Sequence, residues 1–217
     1  MRMRVKNSAR MMSLVLIMGV CAPLLQGCFP VVAAGVVTTA LSVSDRRTTG
    51  TQVEDQSIEL KADSRIRERF DSRVSAGTVS FNRRVLVYGQ APDIATKQEI
   101  GRIVAAVPNV REIINEVEIA GTQGLGTASG DALITTRVKT SLVDSKDLQA
   151  NAIKVVTERG VVYLMGLVTE REASRAAQIA AGVSGVVKVV KVFEPISEAQ
   201  LAEINRMAQK NQAGTPQ

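Results

Sequence analysis

Between residues 58 and 70 the apolar positions Ile58, Ala62, Ile66 and Phe70 recur every fourth residue, which is the stripe of an amphipathic helix. The spacing then shortens. Thr78–Phe81 and Val85–Tyr88 are β-prone runs on either side of Asn82, and this pattern predicts a hairpin. Pro92 and Asp93 introduce a second helix, because proline is tolerated at a helix start and aspartate caps one. Beyond it, Ile113, Val117 and Ile119 share one parity, as residues on one face of a strand do.

The same order returns in the second half. Val85-Leu86-Val87-Tyr88-Gly89 matches Val162-Tyr163-Leu164-Met165-Gly166, and Val107-Pro108-Asn109-Val110 matches Val183-Ser184-Gly185-Val186. The offset is 77 residues at the glycines and 76 at the later valines, so one deletion relates the copies. A first helix over Asp131–Val143 precedes two runs, Ile153–Glu158 and Val161–Val168, which flank a turn at Arg159-Gly160. Thr169-Glu170-Arg171-Glu172 has the form of a capping box. The helix it opens carries Ala173, Ala176, Ala177 and Ala180 on one face and stops at Gly182. Val186–Phe193 is the last expected strand, and Leu201, Ile204 and Ala208 place a short amphipathic helix in the tail. Gly121, Gly124, Gly126 and Gly130 mark residues 121–130 as a linker.

The expected architecture is therefore α+β. It has two tandem α-β-β-α-β domains, over 53–120 and 131–196, each with two helices on a three-stranded sheet, followed by a helical tail over 197–217. Segments of about 66 residues are small but able to fold alone.

The N-terminus is organised differently. Arg2, Arg4, Lys6 and Arg10 precede an apolar run from Met11 to Leu25, which falls short of the roughly 20 residues a bilayer span needs. The run ends in Leu25-Gln26-Gly27-Cys28, which resembles a lipobox. That resemblance implies a lipoprotein signal over 1–27 and acyl lipid on Cys28, with no other cofactor. Phe29 stands where an aspartate would favour inner-membrane retention, so the implied destination is the periplasmic face of the outer membrane. Residues 28–52 then form the anchor and tether. Within them the apolar stretch 29–43 is too short to span, and either lies at the bilayer surface or packs on the protein.

Removal of the signal takes Cys21 with it, leaving no thiol for a disulfide or for catalysis. Four of the 27 Lys and Arg residues also leave, so 23 cations face 21 acids. A net charge of +2 gives little reason to expect nucleic acid as a partner. The chain has no histidine, which removes the commonest general base and most transition-metal sites. Its acids show no metal-ligand spacing, and Gly124-Leu125-Gly126 lacks the Gly-Lys-Ser/Thr of a phosphate loop. Neither a catalytic set nor a metal site is expected.

The repeat, and above all Val162–Ala173 with its Gly166 and capping box, resembles the BON domain. Lipobox, tether, BON, linker and BON in that order resemble the dual-BON outer-membrane lipoproteins. The tail beyond Pro195 departs from that pattern. The resemblance implies a non-enzymatic protein that binds anionic phospholipid, such as phosphatidylglycerol, through the first helix of the second domain. It implies support of outer-membrane integrity at division sites, with envelope or division proteins as further partners. At 100° per residue, Ile134, Val138, Ser141 and Leu142 form the core side of that helix. Leu133, Thr136, Thr140 and Val143 fall opposite, with Arg137 and Lys139 flanking them. An apolar strip edged by cations suits an anionic interface. Where the resemblance would place an aromatic ring, this chain has Leu133.

The alternative is a lipid-tethered scaffold for envelope assembly machinery. It would use the first domain's helix, where Lys61, Arg65, Arg67 and Arg69 alternate with Glu59, Asp63, Glu68 and Asp71. A solvated charged face is the plainer reading of that pattern.

Overall fold

The computed structural model describes residues 45–120 and 125–213. The expected signal, Cys28 and the apolar 29–43 stretch lie outside the described residues. The first domain runs α1 (Thr49–Phe70), β1 (Ser75–Phe81), β2 (Arg84–Ala91), α2 (Ile94–Ala105), β3 (Glu112–Asn115) and β4 (Glu118–Ile119). The second repeats it as α3 (Leu125–Asp144), β5 (Ile153–Glu158), β6 (Val161–Val168), α4 (Glu170–Ala181), β7 (Lys188–Lys191) and β8 (Glu194–Pro195). Helix α5 (Glu198–Ala213) follows. The architecture is α+β, with helices packed on mixed sheets.

Each sheet is built around its second strand. β1 and β2 pair antiparallel, and both β3 and β4 pair parallel with β2. The single third strand expected from Ile113, Val117 and Ile119 is thus one path with a break. Across the break Glu116 N–H still donates to Val87 O at 2.8 Å, while Val117 turns fully into the core. The second domain breaks its expected Val186–Phe193 strand at the equivalent place, where Val192 N–H donates to Leu164 O at 2.8 Å and Phe193 packs on the second domain's core. Interrupting the ladder costs little at a sheet margin and lets Val117 and Phe193 each turn toward the core of its own domain.

The hairpin turns show why Asn82 and Gly160 stand where they do. Asn82 and Arg83 have φ of 53° and 63°, and Arg159 and Gly160 have 52° and 74°. Two consecutive left-handed residues make the two-residue turn that matches strand twist. Arg83 and Arg159 pay for that conformation without a glycine's freedom, and an aspartate on the first helix of each domain supports the turn. Asp55 accepts from Asn82 N–H at 2.8 Å and Arg83 N–H at 2.7 Å. Asp131 accepts from Arg159 N–H at 2.7 Å and Gly160 N–H at 2.8 Å.

Three cores hold the protein. Ile58, Ala62, Ile66 and Phe70 of α1 pack with Val85, Val87, Ile100 and Val104, and the helical stripe read from sequence is this contact. Val138 and Leu142 of α3 pack with Val155, Val162, Leu164 and the alanine face of α4. The third core was not expected. Val79, Phe81 and Leu86 of the first sheet meet Val161, Tyr163, Met165 and Val192 of the second. The two sheets thus bury against each other the faces that their helices leave bare. Polar links surround this junction: Asn82 Nδ2 to Glu194 Oε2 at 2.8 Å, Lys154 Nζ to Glu59 Oε1 at 2.8 Å, and Arg84 Nη1 to the Phe193 carbonyl at 2.7 Å. The expectation of two self-sufficient segments is corrected accordingly, because each small domain completes its burial on the other.

Two boundaries also differ from expectation. Helix α1 begins at Thr49, inside the expected tether, with the Thr48 hydroxyl accepting from Thr51 N–H at 3.1 Å. Helix α3 begins at Leu125, inside the expected glycine linker. Extending a nucleated helix gains a hydrogen bond per residue, and glycine costs only about 1 kcal/mol each against that gain.

Candidate membrane-contact site

Helix α3 is fixed by the side it buries. Val138 and Leu142 are sealed in the second core, and Ile134 rests against Gly185. Gly185 has φ of 96°, a conformation that strains any residue with a side chain, and a Cβ there would press on the Ile134 side chain, so glycine favours the close approach of this loop to α3. With that side committed, Leu133, Thr136, Arg137, Lys139, Thr140 and Val143 are all exposed. Leu133 and Val143 are 58% and 64% exposed, among the most exposed large apolar side chains described. The six residues share one face of one helix, and α3 packs on β5 and α4 rather than under the first domain.

The chemistry of the face is simple. Thr136 donates its hydroxyl to the Ala132 carbonyl at 2.9 Å, which removes a donor from the strip. Arg137 reaches the Ser184 carbonyl at 3.4 Å. Among the described residues no carboxylate pairs with Arg137 or Lys139, so both charges remain available to an anion. Among the described residues, too, no helix is long and apolar enough to cross a membrane, and no group of three His, Cys, Asp or Glu could hold a metal ion.

The charged face of α1 differs from its sequence reading. Asp63 accepts from Thr78 N–H at 3.1 Å, Glu59 from Ser80 N–H at 2.8 Å, and Asp55 from the turn beyond. Two of these carboxylates thus cap the alternate N–H groups of Thr78 and Ser80 on edge strand β1, a standing invitation to misassembly when bare, and the third holds the turn that follows. Glu59 and Asp63 are therefore structural acceptors rather than solvated charges. The i, i+4, i+8 spacing of Asp55, Glu59 and Asp63 was the available signal. In α3 the corresponding residues are Asp131, Thr135 and Lys139. Asp131 keeps the turn, but Thr135 donates to Thr157 Oγ1 at 2.7 Å, and a lysine offers no acceptor.

Sequence reasoning also missed Arg46 and Arg47, placed in the polar tether. Arg47 pairs with Asp45 and Asp55, each at 2.7 Å, and stacks on Phe81 with its guanidinium 3.9 Å from the ring centre. Burial works against its charge, yet the two carboxylates outweigh it and hold its pKa above the ordinary value. Arg46 enters the second domain, where it meets both oxygens of Glu172 at 2.7 and 2.8 Å and the Leu167 carbonyl at 2.6 Å. Burial would raise the Glu172 pKa, but hydrogen bonds from Arg46 and Thr169 N–H and the charges of Arg46 and Arg171 keep it below the usual carboxylate range.

Comparison with known proteins agrees with this architecture. The BON domain family model matches residues 55–121 and 130–194. The chain is 37% identical over 174 residues to the outer membrane lipoprotein DolP of Haemophilus influenzae, covering 78% of this chain and 89% of that protein. It is 36% identical over 155 residues to the 21 kDa hemolysin of Actinobacillus pleuropneumoniae, covering 69% and 78%. A shorter match, 38% over 66 residues, joins 30% of it to 33% of the osmotically-inducible protein Y of Escherichia coli. Two hairpin-and-crossover domains, matched twice by one family model and spanned by a lipoprotein relative, show that this chain belongs to the BON-domain family as a dual-BON outer-membrane lipoprotein of the DolP type.

Proposed function

We propose that this protein is a non-enzymatic lipoprotein, anchored through acyl lipid on Cys28, whose second domain reads anionic phospholipid with the free face of α3. The observation that carries the proposal is the exposed pair Leu133 and Val143 on a strip flanked by Arg137 and Lys139. Their apolar side chains would enter the headgroup boundary while the cations remain beside phosphate.

Magnitudes favour a weak contact that depends on the anchor. Burying the exposed parts of Leu133 and Val143 is worth about 1–2 kcal/mol each, and each cation near an anionic surface adds about 1 kcal/mol. The gross sum of about 4–6 kcal/mol corresponds to dissociation constants of roughly 0.05–1 mM. A second attachment converts such a contact into an intramolecular one. Support of outer-membrane integrity at division sites, with envelope or division proteins nearby, is the role such a composition sensor would serve.

The test is vesicle flotation of a chain that begins at residue 28 and carries Cys28→Ser. Binding should appear with phosphatidylglycerol present, fade in its absence and with added salt, and weaken in Leu133→Glu at unchanged thermal stability. Equal recovery with and without anionic lipid would refute the reading. A large loss of stability in Leu133→Glu would show that α3 is turned the other way.

A further inference from the structure

The first strands of the two domains are equivalent edges finished in different ways. Across the 77-residue offset, Thr78 and Ser80 of β1 correspond to Val155 and Thr157 of β5. The pair Glu158↔Val161 closes the hairpin turn, so Val156↔Tyr163 is the next hydrogen-bonded pair. Val155 and Thr157 therefore point their N–H and C=O groups away from β6. On β1 the corresponding N–H groups are taken by Asp63 and Glu59. On β5, among the described residues, no side chain accepts from either one. Thr135, in the place of Glu59, gives its hydrogen to the Thr157 hydroxyl, and Lys139, in the place of Asp63, has no acceptor to offer. Burial follows the same division: Val79–Phe81 are buried, whereas Val156–Glu158 are half-buried.

This uncapped edge is the floor of a cleft of about 350 Å³. Ala132 and Thr135 of α3 stand on one side of Val155–Glu158, and Val79 and Tyr88 of the first domain on the other. Walls on both sides exclude a second whole sheet and admit a single extended chain. Such a chain carries carbonyls along one margin about 6.6–6.8 Å apart, which is the spacing of the two free N–H groups, with its own N–H groups between them. Charge narrows the class further. Lys154 answers Glu59 at 2.8 Å, but Glu158 accepts from the Gln90 side-chain amide at 2.6 Å and, among the described residues, no cation pairs with it. The Tyr88 pKa is raised, first by burial and then by the charges of Asp63, Glu158 and Glu59, so the first-domain wall is electronegative.

We propose that the β5 edge is a docking site for an extended, basic segment of a partner polypeptide, which joins the second sheet as an added strand. The backbone of that segment satisfies Val155 and Thr157. Side chains on one of its faces lay their stems along Val79 and Val156 and bring cationic heads to Glu158. Those on the other face are apolar and rest against Ala132 and Thr135. The site does not rest on the phospholipid reading above.

The test is hydrogen exchange of single amides, read by NMR in the full chain carrying Cys28→Ser. The probe is a blocked hexapeptide of alternating lysine and valine at millimolar concentration. It should slow exchange of the Thr157 amide by about tenfold or more and leave the capped Ser80 amide unchanged. The same peptide N-methylated throughout, or with glutamate in place of lysine, should leave Thr157 at its free rate. Thr135→Glu rebuilds the cap of the first domain, so it should slow Thr157 without peptide and cancel the effect of adding it. Thr157→Pro removes an N–H that β6 does not use, so the fold should persist while the peptide no longer shifts the Val156 and Glu158 amide signals. No protection of Thr157 by the lysine peptide, or equal protection by its N-methylated form, would overturn the proposal. Protection that rises with protein concentration alone would assign the edge to a second copy of this chain and overturn it as well.

Discussion

Replacing Asp55 by alanine removes the most heavily used carboxylate of the fold. It is 2% exposed and accepts four hydrogen bonds: from Ser80 Oγ at 2.6 Å, Arg47 Nη1 and Arg83 N–H at 2.7 Å, and Asn82 N–H at 2.8 Å. Its counterpart Asp131 accepts two, both from turn amides, at a position partly open to water. Breaking a buried pair by removing one partner costs about 3–5 kcal/mol. Two hydrogen bonds to a charged acceptor near solvent are worth about 1–3 kcal/mol together once water replaces part of them. Asp55→Ala should therefore destabilise by about 2 kcal/mol more than Asp131→Ala, although the residues are equivalent in the repeat. With a urea slope of about 2 kcal/mol/M, the Asp55 variant should lose roughly 2 M in midpoint and the Asp131 variant about 1 M. Asp55→Asn, which keeps the shape but loses the charge, should fall between. Equal midpoints for the two alanine variants, or a loss below about 1 kcal/mol for Asp55→Ala, would refute the argument that one carboxylate joins helix, hairpin and lead-in segment.

Other outcomes follow from single sites. Gly89 has φ of 110°, and a Cβ would collide with the Ser75 carbonyl oxygen. Gly89→Ala should therefore cost several times the approximately 1 kcal/mol of an ordinary glycine effect, and a thermal midpoint within a few degrees of wild type would contradict it. Met165→Ala empties a site between the two sheets and should cost about 2–5 kcal/mol. Hydrogen exchange should then rise in both β2 and β6, and a rise confined to the second domain would argue against a shared core. The chain has two tyrosines. Burial, then the charges of Glu116, Glu118 and Glu158, push Tyr163 up to about 12, and burial with Asp63, Glu158 and Glu59 raises Tyr88. The folded state thus holds phenol protons that the unfolded chain releases near pH 10. Stability should be intact below that pH and fall as pH climbs from about 10 to 12. A tyrosinate absorbance step at pH 10 in the native protein would contradict this.

Much of each domain is legible because its burial is local. The four-residue stripe of α1, the hairpin around Asn82, the alanine face of α4 and its capping box each lie within a short window, and each predicts the element found. The exposure of Leu133 and Val143 also follows from helical phase alone. What escapes is long-range. The β6 run Val-Val-Tyr-Leu-Met-Gly-Leu-Val has no polar alternation, which is the mark of a strand covered on both faces, yet nothing local says that the second cover is the other sheet. Acids of α1 read as a solvated charge run because their partners are backbone amides of β1, invisible in a residue string. Arg46 escapes for the strongest reason: its carboxylate lies 126 residues away, and an arginine beside an arginine in a polar stretch carries no sign of burial.

The apolar seam between the sheets also determines what a severed half would do. A fragment ending at residue 120 would keep its helices and hairpin but bare Val79, Phe81 and Leu86, a surface already shaped to receive strands. Its cheapest partner is its own twin, so such a piece should self-associate and be lost to precipitation or to quality-control proteases. Each copy of the repeat thus shields its twin's sticky side, and parting them would lay both open to solvent.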